Sequence, residues 1–337
     1  TSMTYPSGRI VTYARDALGR VSGVTTKQNT AAAAVTLASS MTWQPFGGLK
    51  SFVFGNGLTA TYGVDSDYRI NSVGVRFAPS GTQIINRSLT WTGETLDKIT
   101  DTLDATRTET LTYTKTHRLS AAVGKYGTFG WTYDTVGNRT SESINAFVST
   151  YAYPATNNRL TSITPTGQTA RAFTYDAAGN VLTDSRTGAL GMTFQYDVEG
   201  RLSKTFQTSN TLEGATYKYD ARSRLASRVV THAVAPLSTT TLYIHDLDDH
   251  IIAETDASGT TLREYIWVDD LPLAVVANAN VTPAIYYVHT DHLLRPARMT
   301  DNLGAVAWDV IYKPFGEVNN VAIISAATDL RFPGQMC

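Results

Sequence analysis

His289, Asp291 and His292 have the best claim in this chain to metal or acid–base chemistry. Imidazole nitrogen and carboxylate oxygen are ordinary zinc ligands, and an imidazole beside a carboxylate is a serviceable proton carrier. The spacing is less favourable. Two ligands two residues apart project awkwardly from one strand, and no third is assured. The alternative is that the three side chains close a turn by hydrogen bonding, and this is the preferred reading. A second polar cluster, His245, Asp246, Asp248, Asp249 and His250, resembles a calcium loop only loosely. It lacks the glycine and final glutamate of a helix–loop–helix site, so it is read as a solvated turn. Cys337, the only cysteine, has no fixed histidine partner and would make a poor nucleophile. No Gly-x-Gly-x-x-Gly after a strand, no phosphate-binding Lys-Ser/Thr loop and no His-Glu-x-x-His occurs. No catalytic residue, cofactor or firm metal site is therefore assigned.

The remaining carboxylates recur too regularly for a single active site. Tyr133-Asp134-Thr135-Val136-Gly137, Tyr175-Asp176-Ala177-Ala178-Gly179, Tyr196-Asp197-Val198-Glu199-Gly200 and Tyr219-Asp220-Ala221-Arg222-Ser223 repeat one pattern, and Asp16-Ala17-Leu18-Gly19 belongs to it. One aspartate per turn suits backbone capping better than shared-proton chemistry. The tyrosines at 113, 133, 153, 175, 196, 219 and 243 stand 20, 20, 22, 21, 23 and 24 residues apart, a register too narrow for chance. They are read as core and cross-strand packing in preference to a carbohydrate-stacking surface.

Elements to position these residues follow from the alternation. Phe129, Trp131 and Tyr133 share one face, as do Met192, Phe194 and Tyr196, which is the period of a half-buried strand. Asp-x-x-Gly then forms a tight turn: the aspartate accepts backbone N–H groups and the glycine takes φ > 0. Each period of about 21 residues is one hairpin, which is marginal alone and needs neighbours. At most about 16 hairpins fit this length, in a sheet that must twist and curl. Residues 31–34 are expected to form a modest insertion, and 321–327 an apolar stretch without a turn motif. Valine at Gly200 is expected to cost about 1 to 3 kcal/mol, and alanine at Asp291 to be milder.

Composition agrees. The chain has 337 residues, 51 of them threonine, with 18 tyrosines and 25 glycines, which points to an all-β protein. With 28 basic and 29 acidic side chains, the balance excludes bulk electrostatic adhesion to nucleic acid or an anionic membrane. No apolar run reaches membrane-spanning length, and the N-terminus has no signal-peptide pattern. A first residue other than methionine suggests a fragment or processed product, and Cys337 a cut end, a native terminus or a cloning remnant.

The tandem Tyr-Asp-x-x-Gly-Arg-Leu units at Asp134, Asp176, Asp197 and Asp220 closely resemble the RHS/YD-repeat family. That family includes Rhs polymorphic toxins, insecticidal toxin complex shells, wall-associated contact toxins and teneurins. The segment from Tyr287 to Asp301, holding His289, Asp291, His292, Arg295 and Pro296, resembles its "HxDHLGTPRxxTD" motif. Tyr312 to Glu317 resembles "YdpFG", and Leu330-Arg331-Phe332-Pro333-Gly334-Gln335 resembles "LRFPGQ". Leu294 departs from the usual glycine, and His250 from the usual Gly-Arg. The family's aspartate-based cleavage junction, toxin and N-terminal plug have no counterpart in this sequence.

The resemblance implies a curled antiparallel sheet of tandem hairpins forming part of a hollow shell. Residues 1–283 would form the repeat strip and 284–337 the core-associated C-terminal segment. It also implies a structural, non-enzymatic role: enclosing and helping deliver a toxin domain by a bacterial secretion system. Implied partners are the toxin domain or other parts of a longer polypeptide, a type VI spike or adaptor, and an immunity protein. Neither nucleic acid nor an integral membrane segment is expected. The alternative is a cell-surface adhesion or glycan-binding protein.

Overall fold

A computed structural model describes residues 1–78, 80–186, 191–235, 237–326 and 328–331. Phe332, Pro333, Gly334, Gln335 and Cys337 thus lie outside the described residues. Among those described are 29 strands and one helical turn, the 3-10 segment Ala105–Arg107. Successive strands pair antiparallel, as the threonine, tyrosine and valine content requires.

The hairpin has one recurring construction. At its Asp-turn end the ladder slips by a residue: between Thr132 and Tyr133, Thr174 and Tyr175, Gln195 and Tyr196, and Lys218 and Tyr219. The same slip occurs between Ala14 and Arg15, Ile266 and Trp267, and His289 and Thr290. Such bulges increase the local right-handed twist, so each repeat adds curl to the sheet. Residues 28–34 bend and turn between Val21–Lys27 and Val35–Trp43, with the Asn29 side chain accepting from the Ala31 and Ala32 N–H groups. The apolar stretch near 321 lies in strand Val318–Ile324 and its continuation.

The chain forms two compact units, Thr1–Leu111 with Gly124–Tyr126 and Ile244–Cys337, and Thr112–Val123 with Gly127–Tyr243. In the first, the sheet curls until early strands meet late ones. Tyr5 donates its hydroxyl to the Tyr265 carbonyl at 3.0 Å, and Tyr13 to that of Trp267 at 3.0 Å. Strands Thr261–Val268 and Leu271–Ala277 are almost wholly buried there, the continuous apolar run of a strand covered on both faces. In the second unit, strands Arg139–Ile144, Leu202–Gln207 and Leu225–Thr231 are half-buried at every residue. Its buried apolar side chains among the described residues are Ala122, Phe129, Trp131, Ile163, Ala215 and Tyr243. That unit stands as a single layer with little core of its own.

Candidate functional site

The repeated carboxylates sit at the turns. Asp197 Oδ1 accepts from the N–H groups of Glu199 and Arg201 at 2.9 Å each, while Oδ2 receives Arg201 Nε at 2.7 Å. Asp16 and Asp220 do the same with Arg20 and Arg224; Asp134 and Asp176 use the side-chain amides of Asn138 and Asn180. These bonds favour the ionised form. The Arg224 N–H, with its guanidinium, holds the Asp220 carboxyl down to about 2. The Arg201 N–H holds Asp197 below the usual range, and the Asn180 amide does the same for Asp176.

The fourth turn residue is left-handed whatever its type. Gly19, Gly137, Gly179 and Gly200 have φ of 80°, 103°, 97° and 77°, and Tyr68, His117, Ser223, Asp249 and Leu294 occupy the same place at 57° to 72°.

A second interaction joins nine of the hairpins among the described residues to the one before. The carbonyl just after the turn, five residues beyond the capping aspartate where there is one, accepts a hydrogen bond from an aromatic side chain of the next hairpin; Leu119 and Leu160 play that part after turns without the aspartate. In the second unit the donors are tyrosines: Tyr133 to Leu119 at 2.7 Å, Tyr153 to Arg139 at 3.0 Å, Tyr175 to Leu160 at 2.6 Å, Tyr196 to Val181 at 2.9 Å and Tyr219 to Leu202 at 2.9 Å. In the first unit Trp43, Trp91 and Trp267 donate indole N–H groups to Val21, Ile70 and Ile251 at 2.8 to 3.0 Å, and Tyr312 donates to Pro296 at 2.8 Å. The turn's own arginine then covers the incoming ring: Arg201 lies 4.8 Å over Tyr219, Arg69 5.4 Å over Trp91, and Arg295 4.6 Å over Tyr312. The sequence reading placed the tyrosines in packing roles and missed the three tryptophans as members of the series. The available signal was an aromatic 15 to 23 residues after the fifth position of the turn, the place held by Arg, His or Asn.

This construction takes in the aspartate at the centre of each polar cluster, Asp291 and Asp246. Asp291 Oδ1 accepts from the Leu293 and Arg295 N–H groups, and Oδ2 receives Arg295 Nε at 2.7 Å, so the segment resembling "HxDHLGTPR" is another Asp turn. Pro296 supplies the carbonyl for Tyr312. Asp291 is 4% exposed and Arg295 8%. Truncating Asp291 would remove a buried carboxylate from a buried guanidinium, with Glu109 also interacting with Arg295, so alanine there is expected to cost more than at an exposed turn. In the other cluster, Asp246 caps Asp248 and His250, and His250 takes the basic place, 3.2 Å from Asp246 Oδ2, 3.0 Å from Asp270 Oδ1 and stacked on Trp267 at 4.7 Å.

His289 stands apart from the turn. It lies in strand Ala284–Thr290 with Nε2 2.8 Å from Thr300 Oγ1 and its ring edge-on to Phe54. Burial, reinforced by the Arg298 charge, pushes its imidazole down to about 3. Burial also lowers His292, against Asp291. Arg331 donates to the Thr328 and Leu330 carbonyls. Among the described residues, no three His, Cys, Asp or Glu side chains gather where they could hold a metal.

Long-range ion pairs close the first unit. Glu264, fully buried, receives Arg9 Nε at 2.8 Å and Ser7 Oγ at 2.6 Å. Asp309 receives Arg107 at 2.8 and 2.6 Å, and Arg298 Nε lies 3.2 Å from it.

A series of Asp-capped hairpins, many of them tied to the predecessor by an aromatic donor, defines a YD-repeat β-shell protein. The chain belongs to the Teneurin YD-shell family, whose profile matches residues 90–325. It is 26% identical over 264 residues to double-stranded DNA deaminase toxin A of Burkholderia cenocepacia, covering 60% of this chain and 18% of the relative. It is 26% identical over 159 residues to the tRNA nuclease WapA of Bacillus subtilis, covering 47% of this chain and 6% of the relative. The chain thus spans less than a fifth of either. Its fold is similar to part of the Photorhabdus luminescens Tc holotoxin pore, with a TM-score of 0.80 and 14% identity over 99% of this chain and 18% of that one. The TcdB2–TccC3 crystal structure gives a TM-score of 0.73 at 14% identity, covering 99% of this chain and 19% of that one.

Proposed function

We propose that the chain is a β-shell segment of a secreted polymorphic toxin, enclosing and helping to deliver a toxin domain while catalysing nothing itself. The turn-and-aromatic series carries this reading. It ties many of the hairpins to their neighbours within the sheet, so a one-layer wall can stand with little core behind it, as the second unit does. A wall of that kind can surround a space instead of filling it. Two relatives are named for activities on DNA and tRNA, yet this chain aligns with only a minor part of each, which suits a shared carrier segment. The expected partner is a toxin domain, with the whole exported or displayed at the cell surface. The boundary between a repeat strip at 1–283 and a C-terminal segment at 284–337 is part of the same proposal.

The test is protease protection. The full reading frame around this segment should yield a polypeptide resistant to proteinase K while the shell is intact. It should become susceptible when the Arg9–Glu264 pair is broken. Digestion at the same rate with and without the shell segment would rule out enclosure.

A further inference from the structure

Four hairpin turns of the first unit, at residues 44–48, 65–69, 269–270 and 291–295, meet around a hollow of about 410 Å3, within the size range of ligand sites. The turns come from the beginning and end of the unit's strand order, so the hollow exists because the sheet has curled upon itself. Trp43, Tyr62 and Tyr68 line it together with His292 and the exposed residues Asp269 and Asp270, of which Asp269 also borders a neighbouring hollow. Among the described residues, no lysine or arginine lines the first hollow. His292 is held toward its neutral form by burial and adds no compensating charge. Asp270 spends one oxygen on His250, while its side chain is 75% exposed. Tyr68 holds a left-handed backbone at φ 61°, with the 89%-exposed Phe46 edge-on to it at 6.2 Å.

The same chemistry is complete elsewhere in the chain. At Asp65–Arg69–Trp91, Asp197–Arg201–Tyr219 and Asp291–Arg295–Tyr312, a guanidinium pairs with a carboxylate and lies over an aromatic face. The hollow offers the carboxylates and the aromatic lining without the guanidinium. Arginine suits such a place better than lysine, because its planar, weakly hydrated head both stacks on rings and pairs bidentately with carboxylates. We infer that the hollow receives an arginine side chain presented by another polypeptide segment, with its guanidinium at Asp269 and Asp270 and its stem along the Trp43–Tyr62–Tyr68 lining. The inference stands whether or not the chain encloses a toxin.

The experiment is calorimetric and fluorescence titration of the full chain with acetyl-Ala-Arg-Ala-amide and with the matched citrulline peptide, a neutral isostere. The arginine peptide is expected to saturate with a Kd on the order of 1 mM. The citrulline peptide should bind at least about tenfold more weakly. Asp269→Asn should weaken the arginine peptide by about fivefold while near-ultraviolet circular dichroism stays unchanged. Tyr68→Gly removes a ring at a position whose backbone favours glycine, so it keeps the fold and should also weaken binding. Equal affinity for the two peptides would overturn the inference. So would no saturable binding, or full affinity in a folded Asp269→Asn or Tyr68→Gly chain.

Discussion

Gly200 and Ser223 occupy the same left-handed position in successive turns, at φ 77° and 61°, and should respond oppositely to substitution. A β-branched side chain suffers in that conformation, so Gly200→Val should destabilise by about 1 to 3 kcal/mol. Ser223→Gly should stabilise by up to about 1 kcal/mol, because the strain of an L-residue there exceeds glycine's entropic penalty. Urea midpoints measured side by side check both signs. Asp291→Ala is the more severe case: it removes the buried carboxylate bonded to Arg295, while Glu109 stays close, and should cost about 2 to 4 kcal/mol, more than Gly200→Val. Turn aspartates and glycines were legible in the sequence because their chemistry is local. Tyr68 and Leu294 at the same position were not, since nothing in those side chains announces a positive φ. His289 was grouped with the turn on spacing alone, whereas its strand turns it onto Phe54 and Thr300.

The hairpin, as an element, depends on the hydroxyl and indole donors that reach back to the preceding turn. Tyr219→Phe keeps the ring under Arg201 but removes the bond to Leu202, and should cost about 0.5 to 1.5 kcal/mol by thermal or urea unfolding. Acid should act together on the turns of Asp16, Asp65, Asp134, Asp176, Asp197, Asp220 and Asp256, whose carboxyls are all held low. A carboxyl held low in the folded state, as Asp220 is at about 2, contributes stability above its unfolded value near 3.9. That contribution disappears as pH falls through the folded value. His289 adds loss at milder acidity: unfolded it takes a proton below about 6.5, while folded it resists until about 3, so stability declines as pH drops between those values. Melting temperature should therefore fall from pH 7 to 5, and His289→Gln should flatten part of that slope; an identical slope would contradict the assignment. The strand alternation and the repeat length were readable from sequence because both are periodic. The aromatic-to-carbonyl bonds escaped it, because a half-buried tyrosine reads the same whether its hydroxyl faces water or a backbone oxygen.

On the scale of the whole molecule, the two units are stabilised differently. The first has a core covered on both faces and a closing ion pair with Glu264 fully buried. Glu264→Leu leaves the Arg9 guanidinium buried and unpaired, and should cost about 3 to 5 kcal/mol. Hydrogen exchange should show that loss at Tyr5 and Tyr265, and a variant as stable as the parent would refute it. The all-β repeat architecture was evident from composition and period. The seam was not, since no local pattern links Arg9 to a glutamate 255 residues away.

The aromatic bonds also have a direction: the donor belongs to the later hairpin and the acceptor to the earlier one. A polypeptide emerging from the ribosome would therefore find each acceptor already built when its donor appears. Tyr5 and Tyr13 invert that order, because their acceptors at Tyr265 and Trp267 are synthesised about 250 residues later. Closure of the first unit through these two tyrosines therefore waits until strand Thr261–Val268 has been made, long after strand Ile10–Arg15.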